Sequence, residues 1–228
     1  RELFPVGFRG EEGATFDEVA RRGEARRRVM FYDLVIEEKE GGEVRDEEAA
    51  TLLAEYIVSG SLKLKRWDAK VDYWIARVDF LSQSMPELEI SAIGEEEKKL
   101  IVTQVCRKAR SYREVKDREV WPVLREWLSP PQSSALESYA PERIELSNGV
   151  TVRVAYEVGK DPSISLKVQQ LYGVRETPAI SGRSVQVQVL APNQRPWQVT
   201  QDLKSFWESG YPQMKKDLAG RYPKHEWR

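Results

Sequence analysis

Basic and aromatic side chains alternate near the C-terminal end of the sequence. Arg221, Tyr222, Lys224, His225 and Trp227 lie within seven residues of one another. Basic groups hold phosphate oxygens and flat rings stack on unpaired bases, so this pattern suits the binding of single-stranded RNA. The residues that we select as candidate nucleic-acid ligands are Arg195, Lys215, Lys216, Arg221, Tyr222, Lys224 and His225.

The same segment allows a purely structural interpretation. Tyr222 and Trp227 could fill grooves on their own domain while Arg221 pairs with an acidic side chain. The sequence leaves both interpretations open.

Motifs for catalysis, nucleotide binding and metal binding are absent from the 228 residues. There is no P-loop pattern, no Gly-x-Gly-x-x-Gly and no DEAH sequence that would serve a nucleotide phosphate. The lone histidine, His225, has no cysteine at a zinc spacing. No Gly-x-Ser-x-Gly nucleophile elbow occurs either. We therefore expect a non-catalytic chain that holds no cofactor of its own.

The overall charge of the chain does not favour the binding of a polyanion. Thirty-six Lys and Arg face 37 Asp and Glu, for a formal charge of −1, so any such site must come from local clustering. The single cysteine, Cys106, excludes an internal disulfide, is expected to be an inert core thiol, and fits the reducing cytoplasm. No run of about 18 apolar residues predicts a membrane helix. The chain begins with Arg1-Glu2 rather than methionine, so we expect a piece of a longer protein.

The predicted strands and helices that would position these residues indicate an α+β fold. It has three parts: a short β-rich segment over 1–45, a small helical layer over 46–140, and a C-terminal α+β unit over 141–228. In the first part, Thr15–Glu18 fits a helix capping box, whereas Val29–Ile36 predicts a strand. The basic run Arg21–Arg28 is either a solvated hairpin face or a phosphate contact.

The C-terminal unit is expected to run β-β-α-β-α-α. Asn148-Gly149 predicts a hairpin with a two-residue type I′ turn. Asp161-Pro162 predicts the start of a helix, and alternation over Val185–Val189 predicts a strand. The prolines near Arg195 predict a rigid turn, and Thr200 is expected to cap the first of two short helices that meet near Ser209.

A specific resemblance covers this last part of the chain. The stretch 195–225, RPWQVTQDLKSFWESGYPQMKKDLAGRYPKH, resembles the C-terminal signature of HrpB, a bacterial family of DEAH-box ATP-dependent helicases. Further motifs follow the family's order: Ser147-Asn148-Gly149, Ala155-Tyr156, Val168–Gly173, Thr177-Pro178 and, upstream, the helical stretch Trp74–Arg77. The chain departs from the family at Leu146–Gly149, where the family has Pro-Ser-Gly, and lacks the proline-rich end.

The resemblance implies a parent protein that hydrolyses ATP with Mg²⁺ in upstream RecA-like domains and translocates on RNA. This chain would then be a non-catalytic accessory region that braces the motor, contributes to single-stranded RNA binding, or both. The alternative is a protein-interaction module that recruits a partner through the helical layer or the tail.

Overall fold

The chain forms two compact units. The computed structural model describes residues 8–41 and 44–228. Unit 1 holds the residues up to Val71 together with Ile93–Trp127, and unit 2 holds Asp72–Ala92 together with Leu128–Arg228. Each unit combines helices with a sheet, which confirms the α+β class. The three-part division at 45 and 140 stays a prediction.

Unit 1 contains an antiparallel sheet in the order β1-β2-β3, formed by β1 (Phe8–Asp17), β2 (Arg22–Phe31) and β3 (Leu34–Glu40). The predicted strand Val29–Ile36 is therefore two strands, because the chain reverses at Tyr32, whose φ is 50°. β-branched and aromatic residues stand on both sides of this turn, so composition alone gives no break between the strands.

The capping box predicted at Thr15–Glu18 is wrong. Thr15 pairs with Glu24 in the β1–β2 ladder. The Asp17 carboxylate accepts hydrogen bonds from the N–H groups of Val19 and Ala20, at 2.8 and 3.0 Å, and so shapes the hairpin turn. An Asp that bonds its own following backbone stabilises a turn as readily as a helix start.

Four helices accompany this sheet among the described residues of unit 1. They are α1 (Asp46–Val58), α3 (Glu95–Cys106), α4 (Tyr112–Val115) and α5 (Trp121–Arg125). α1 packs on α3 and on β2, with Leu53, Ile101 and Cys106 buried.

Unit 2 is built on a five-stranded sheet with helices beside it. The strands are β4 (Arg143–Glu145), β5 (Thr151–Ala155), β6 (Ser163–Lys167), β9 (Gln186–Leu190) and β10 (Pro196–Thr200), in the order β10-β9-β6-β5-β4. A two-stranded ribbon of β7 (Ala179–Ile180) and β8 (Arg183–Ser184) precedes β9. The helices are α2 (Ala69–Ser84, in unit 2 from Asp72 onward), α6 (Pro130–Tyr139), α7 (Leu203–Ser205) and α8 (Tyr211–Leu218), with short 3₁₀ turns at Pro86–Leu88 and Val168–Leu171.

The helix predicted after Asp161-Pro162 is instead β6. Ile164 and Leu166 are buried while Ser165 between them is exposed, which is the two-residue period of a strand. β6 runs parallel to β9, with Ile164 opposite Val187. Ile164, Val168 and Leu171 also recur at a helical spacing, but a helical face through them leaves out Leu166.

The predicted hairpin at Asn148-Gly149 is confirmed, but its turn is longer. Leu146 N–H bonds to Val150 O at 2.9 Å, which leaves a loop of three residues, and only Gly149 among them has a positive φ, of 82°. Asn148 keeps an ordinary φ and uses its side chain instead. Its amide donates to the carbonyl oxygens of Gln170 and Tyr172, both at 2.9 Å.

The rigid turn predicted near Arg195 lies between β9 and β10, where Gln194 N–H bonds to Ala191 O at 2.9 Å. Pro196 follows this turn and begins β10, a strand that the sequence did not predict. β10 is an edge strand, where a residue without an N–H costs no ladder bond. The following helix is capped by Asp202 rather than Thr200: the Asp202 carboxylate accepts from Ser205 N–H at 3.0 Å.

The two helices predicted to meet near Ser209 form one helical segment with a π turn at Phe206–Gly210. Tyr211 N–H bonds to Phe206 O, five residues back. This wider turn accommodates Pro212, which has no N–H to donate. Gly210 is required here, because a Cβ would lie 2.5 Å from Gln198 Oε1 and 2.8 Å from the Phe206 ring.

Candidate nucleic-acid interface

The C-terminal tail, residues 219–228, folds back on unit 2 through its main chain. The Tyr172 hydroxyl donates to the Glu226 carbonyl oxygen at 2.8 Å. The Tyr211 hydroxyl and the Lys215 ammonium donate to the Arg228 carbonyl oxygen at 2.8 and 2.9 Å. The tail is therefore held in one position by acceptors that do not depend on its side-chain types.

The predicted ligands lie mostly on this tail and the helix before it. Lys215 and Lys216 stand in the last turn of α8, and Arg221, Tyr222, Lys224 and His225 follow in the tail. Arg195 lies apart from them in the exposed turn between β9 and β10. Within residues 8–41 and 44–228, no hydrogen bond or ion pair joins Arg195 to the other six.

Most of these cations are left to solvent. Lys216, Arg221 and Lys224 are exposed, and within the described part of the chain none of them has a carboxylate within ion-pair distance. The structural interpretation, in which Arg221 pairs with an acid, is therefore wrong for the described residues. Trp227 is half-buried and donates from Nε1 to Tyr222 O at 3.1 Å, a contact within the tail itself.

Beside the tail lies a groove of about 480 Å³, which we call the aromatic groove. Its walls combine three aromatic side chains, three cations, one carboxylate and two smaller residues: Tyr172, Trp207, Tyr211, Arg175, Lys204, Arg228, Glu208, Gly173 and Val174. Volumes of roughly 300–1,000 Å³ are usual for sites that take small organic groups.

Hydrogen bonds fix the rings of the groove. Trp207 Nε1 donates to Val174 O at 2.6 Å. The hydroxyl oxygens of Tyr172 and Tyr211 are 2.9 Å apart, and Asn148 holds the main chain of Tyr172. Burial raises the pKa of Tyr211, so its hydroxyl keeps the proton that it donates to the main-chain oxygen of Arg228.

The electrostatic balance of the groove is positive. Arg228 places its guanidinium over the Tyr172 ring at 4.8 Å and pairs with Glu226 at 2.8 Å. Arg175 and Lys204 are exposed, and neither has an ion-pair partner among the described residues. Two cations are thus free to meet an anionic ligand at the groove.

The groove was not predicted from the sequence, because Phe206 and Trp207 both fit the apolar spacing of the helix predicted after Thr200. Adjacent residues on a helix point about 100° apart, so two neighbouring aromatic residues cannot share one buried face. Phe206 is fully buried, and Trp207 lines the groove. The Phe-Trp pair was the signal that could have identified it.

The basic run Arg21–Arg28 in unit 1 forms an ion-paired hairpin face. Its pairs are Arg22 with Glu24 at 2.7 Å, Arg26 with Glu38 at 2.9 Å, Arg27 with Glu12 at 2.7 Å and Arg28 with Glu38 at 3.2 Å. These guanidinium groups are already compensated, which favours the solvated-face interpretation over a phosphate contact.

Within the residues that the structure describes, no helix is long and apolar enough to cross a membrane.

Comparison with known proteins places this arrangement in a family. The family profile described as ATP-dependent helicase C-terminal (HrpB C-terminal) matches residues 101–228. The ATP-dependent RNA helicase HrpB of Escherichia coli (strain K12) is 24% identical over 208 residues, which is 88% of this chain and 26% of that protein. This chain therefore spans about a quarter of the length of that relative.

Two crystal structures share the fold. The E. coli DExH-box NTPase HrpB has a TM-score of 0.73 at 23% identity and is matched over 100% of this chain and 29% of its own. The E. coli DEAH/RHA helicase HrpB has a TM-score of 0.64 at 23% identity, over 98% of this chain and 29% of its own. Since the family profile covers more than half of the sequence, the chain belongs to the HrpB family of ATP-dependent helicase C-terminal regions.

Proposed function

We propose that this chain is the non-catalytic accessory region of an ATP-dependent RNA helicase and that it contributes to the binding of single-stranded RNA. Upstream RecA-like domains of the same protein would bind ATP and Mg²⁺ and drive translocation. The relative named as an ATP-dependent RNA helicase supports RNA as the ligand. The single cysteine fits a reducing compartment, and we place the protein in the cytoplasm.

One observation carries the proposal: the tail is anchored through main-chain carbonyl groups while its cations face solvent. Glu226 supplies a carbonyl acceptor, and Arg228 accepts at its main-chain oxygen. Arg221 and Lys224 in the tail, and Lys216 in the last turn of α8, remain exposed and without ion pairs among the described residues. A phosphate backbone would meet positive charges on a surface that is already ordered, so binding would cost less conformational entropy.

The test measures the affinity of the 228-residue chain for an unstructured, labelled RNA oligomer by fluorescence anisotropy between 50 and 200 mM salt. We expect the triple variant Lys216→Gln/Arg221→Gln/Lys224→Gln to bind more weakly. Its salt slope should be smaller by about 2, since each phosphate contact on a single strand contributes about 0.7.

A matched control removes three exposed cations elsewhere: Lys63→Gln/Lys70→Gln/Arg143→Gln. Both triples change the formal charge from −1 to −4, that is −1 minus 3, so a general charge effect would weaken both equally. Equal weakening, or no RNA binding at 50 mM salt, would refute the proposal.

A protein-interaction role is the second candidate, and the β2–β3 hairpin favours it. Tyr32, Leu34 and Ile36 are 67%, 66% and 57% exposed. Exposed apolar side chains in a cluster often mark a protein contact. Such a contact would brace the upstream motor domains or recruit a partner, and it would persist at 200 mM salt, where phosphate binding weakens.

A further inference from the structure

We propose that the aromatic groove is a binding site for one unpaired nucleotide, whose base stacks on Trp207 and whose phosphate lies between Arg175 and Lys204. This inference rests on the proposed function and gives it a specific subsite. None of these three residues belongs to the set selected from the sequence.

The Trp207 ring is held in one orientation beside three other aromatic rings. Its indole is fixed by the bond from Nε1 to Val174 O. Its neighbours Phe206 and Tyr211 meet it at 61° and 63°, with centroids 5.0 and 5.2 Å away, and Tyr172 is tilted by 36° at 6.0 Å. None of these three contacts is a parallel stack. A rigid, half-buried indole that lines a groove is a suitable platform for a base.

The ring of the neighbouring Tyr172 is less available to a ligand than the ring of Trp207. Arg228 already covers it, with the guanidinium carbon 4.8 Å from the ring centroid. A planar cation therefore occupies the Tyr172 face in the manner in which a base would. Trp207 is left as the platform that a ligand can use.

Charge identifies the class of ligand. Arg175 and Lys204 line the groove, are exposed, and have no carboxylate partner in the described part of the chain. Glu208 is the one acidic side chain in the wall, against Arg175, Lys204 and Arg228. An apolar ring platform with uncompensated cations at its rim fits a group that is flat at one end and anionic at the other, which describes a nucleotide.

The groove is also continuous with the surface of the proposed function. Arg228 belongs both to the groove wall and to the tail, whose cations Arg221 and Lys224 precede it. An RNA strand that follows the tail would therefore bring one of its nucleotides to Trp207.

The experiment compares a short single-stranded RNA with an abasic oligomer of the same length and charge, using the 228-residue chain. Trp207→Leu should weaken RNA binding by about 5- to 150-fold, as expected for one lost base stack, and leave the abasic oligomer unchanged. Trp207→Phe, which keeps a ring, should retain most of the affinity. Arg175→Gln/Lys204→Gln should weaken both oligomers and lower the salt slope by about 0.7, since the two cations share one phosphate.

Arg143→Gln serves as the control, because Arg143 is exposed on β4 at the opposite edge of the sheet from β10. Thermal melting of each variant checks folding, and the charge variants test the site even if Trp207→Leu is destabilised.

Two results would overturn the groove while leaving the proposed function intact. In the first, the triple variant Lys216→Gln/Arg221→Gln/Lys224→Gln weakens RNA binding. The Trp207, Arg175 and Lys204 variants, in contrast, bind both oligomers like the unaltered chain. In the second, Trp207→Leu weakens the binding of the RNA and of the abasic oligomer equally, which would show that no base stacks on Trp207. Absence of any RNA binding would overturn both proposals together.

Discussion

Arg77 offers the sharpest test of how unit 2 is held together. Its guanidinium is buried, with the side chain 2% exposed, and lies 3.0 Å from Glu137 and 3.3 Å from Glu142. Its Nε donates to Ala140 O at 2.7 Å. The two carboxylates are 67% and 57% exposed, so the cation is buried while its counter-charges are solvated.

We expect Glu137→Gln and Glu142→Gln each to lower the free energy of unfolding of unit 2 by at most about 1 kcal/mol. Solvated carboxylates contribute little, and in each variant the other one still compensates Arg77. The double variant leaves a buried cation without a counter-charge, which costs about 3–5 kcal/mol. The double variant should therefore exceed the sum of the single variants by about 1–3 kcal/mol.

Native-state amide hydrogen exchange of β5, β6 and β9 measures the free energy of unfolding of unit 2 alone. A separate measurement is needed because a chain of two units need not unfold in one step. In an Arg77→Met background the same Glu substitutions should change the free energy by no more than about 0.5 kcal/mol, since no buried cation remains. If the two Glu substitutions prove additive with Arg77 present, the reasoning from burial is refuted.

Three further predictions follow from buried or anchoring groups. Burial raises the pKa of the Cys106 thiol to about 11, so Ellman's reagent at pH 8 should label Cys106 only after urea unfolding, and rapid labelling of the native chain would contradict this. Burial also raises the pKa of Tyr156, whose hydroxyl donates to Pro141 O at 2.9 Å. The unfolded state therefore deprotonates first, and urea unfolding should show constant stability up to about pH 10 and a decline above it that Tyr156→Phe reduces. Tyr211→Phe removes an anchor of the tail, so it should speed hydrogen exchange over residues 219–228 and weaken RNA binding. Lys224→Gln, in contrast, should weaken RNA binding without lowering the melting temperature.

The elements that the sequence predicts well are those whose signals are local. α1 begins at Asp46, the first residue of the predicted helical layer, although Arg45 is its N-cap and makes no side-chain cap bond. Gly60 follows the helix with a φ of 82°. Asp68 accepts from Lys70 N–H at 2.9 Å at the start of α2, and this helix ends before Pro86. Caps and breakers act within one helical turn, so reading the residues in order is enough to find them.

The errors concentrate where pairing is remote. β6 exists because it lies against β9, with Ser163 opposite Gln186, and no residue near Asp161 carries that information. β10 is a strand because its edge position tolerates Pro196, and edge position is a property of the whole sheet. Periodicity over five residues cannot separate a short strand from a helix turn when the apolar residues fit both.

The tail shows why composition alone left two interpretations open. The sequence offered packing and RNA binding as alternatives, on the assumption that the same side chains must do one or the other. The anchors are instead the carbonyl oxygens of Glu226 and Arg228, which meet the hydroxyls of Tyr172 and Tyr211 from distant parts of the chain. Because packing uses the main chain, the side chains of Arg221 and Lys224 stay available, and an ordered tail becomes compatible with a binding surface rather than a reason to reject one.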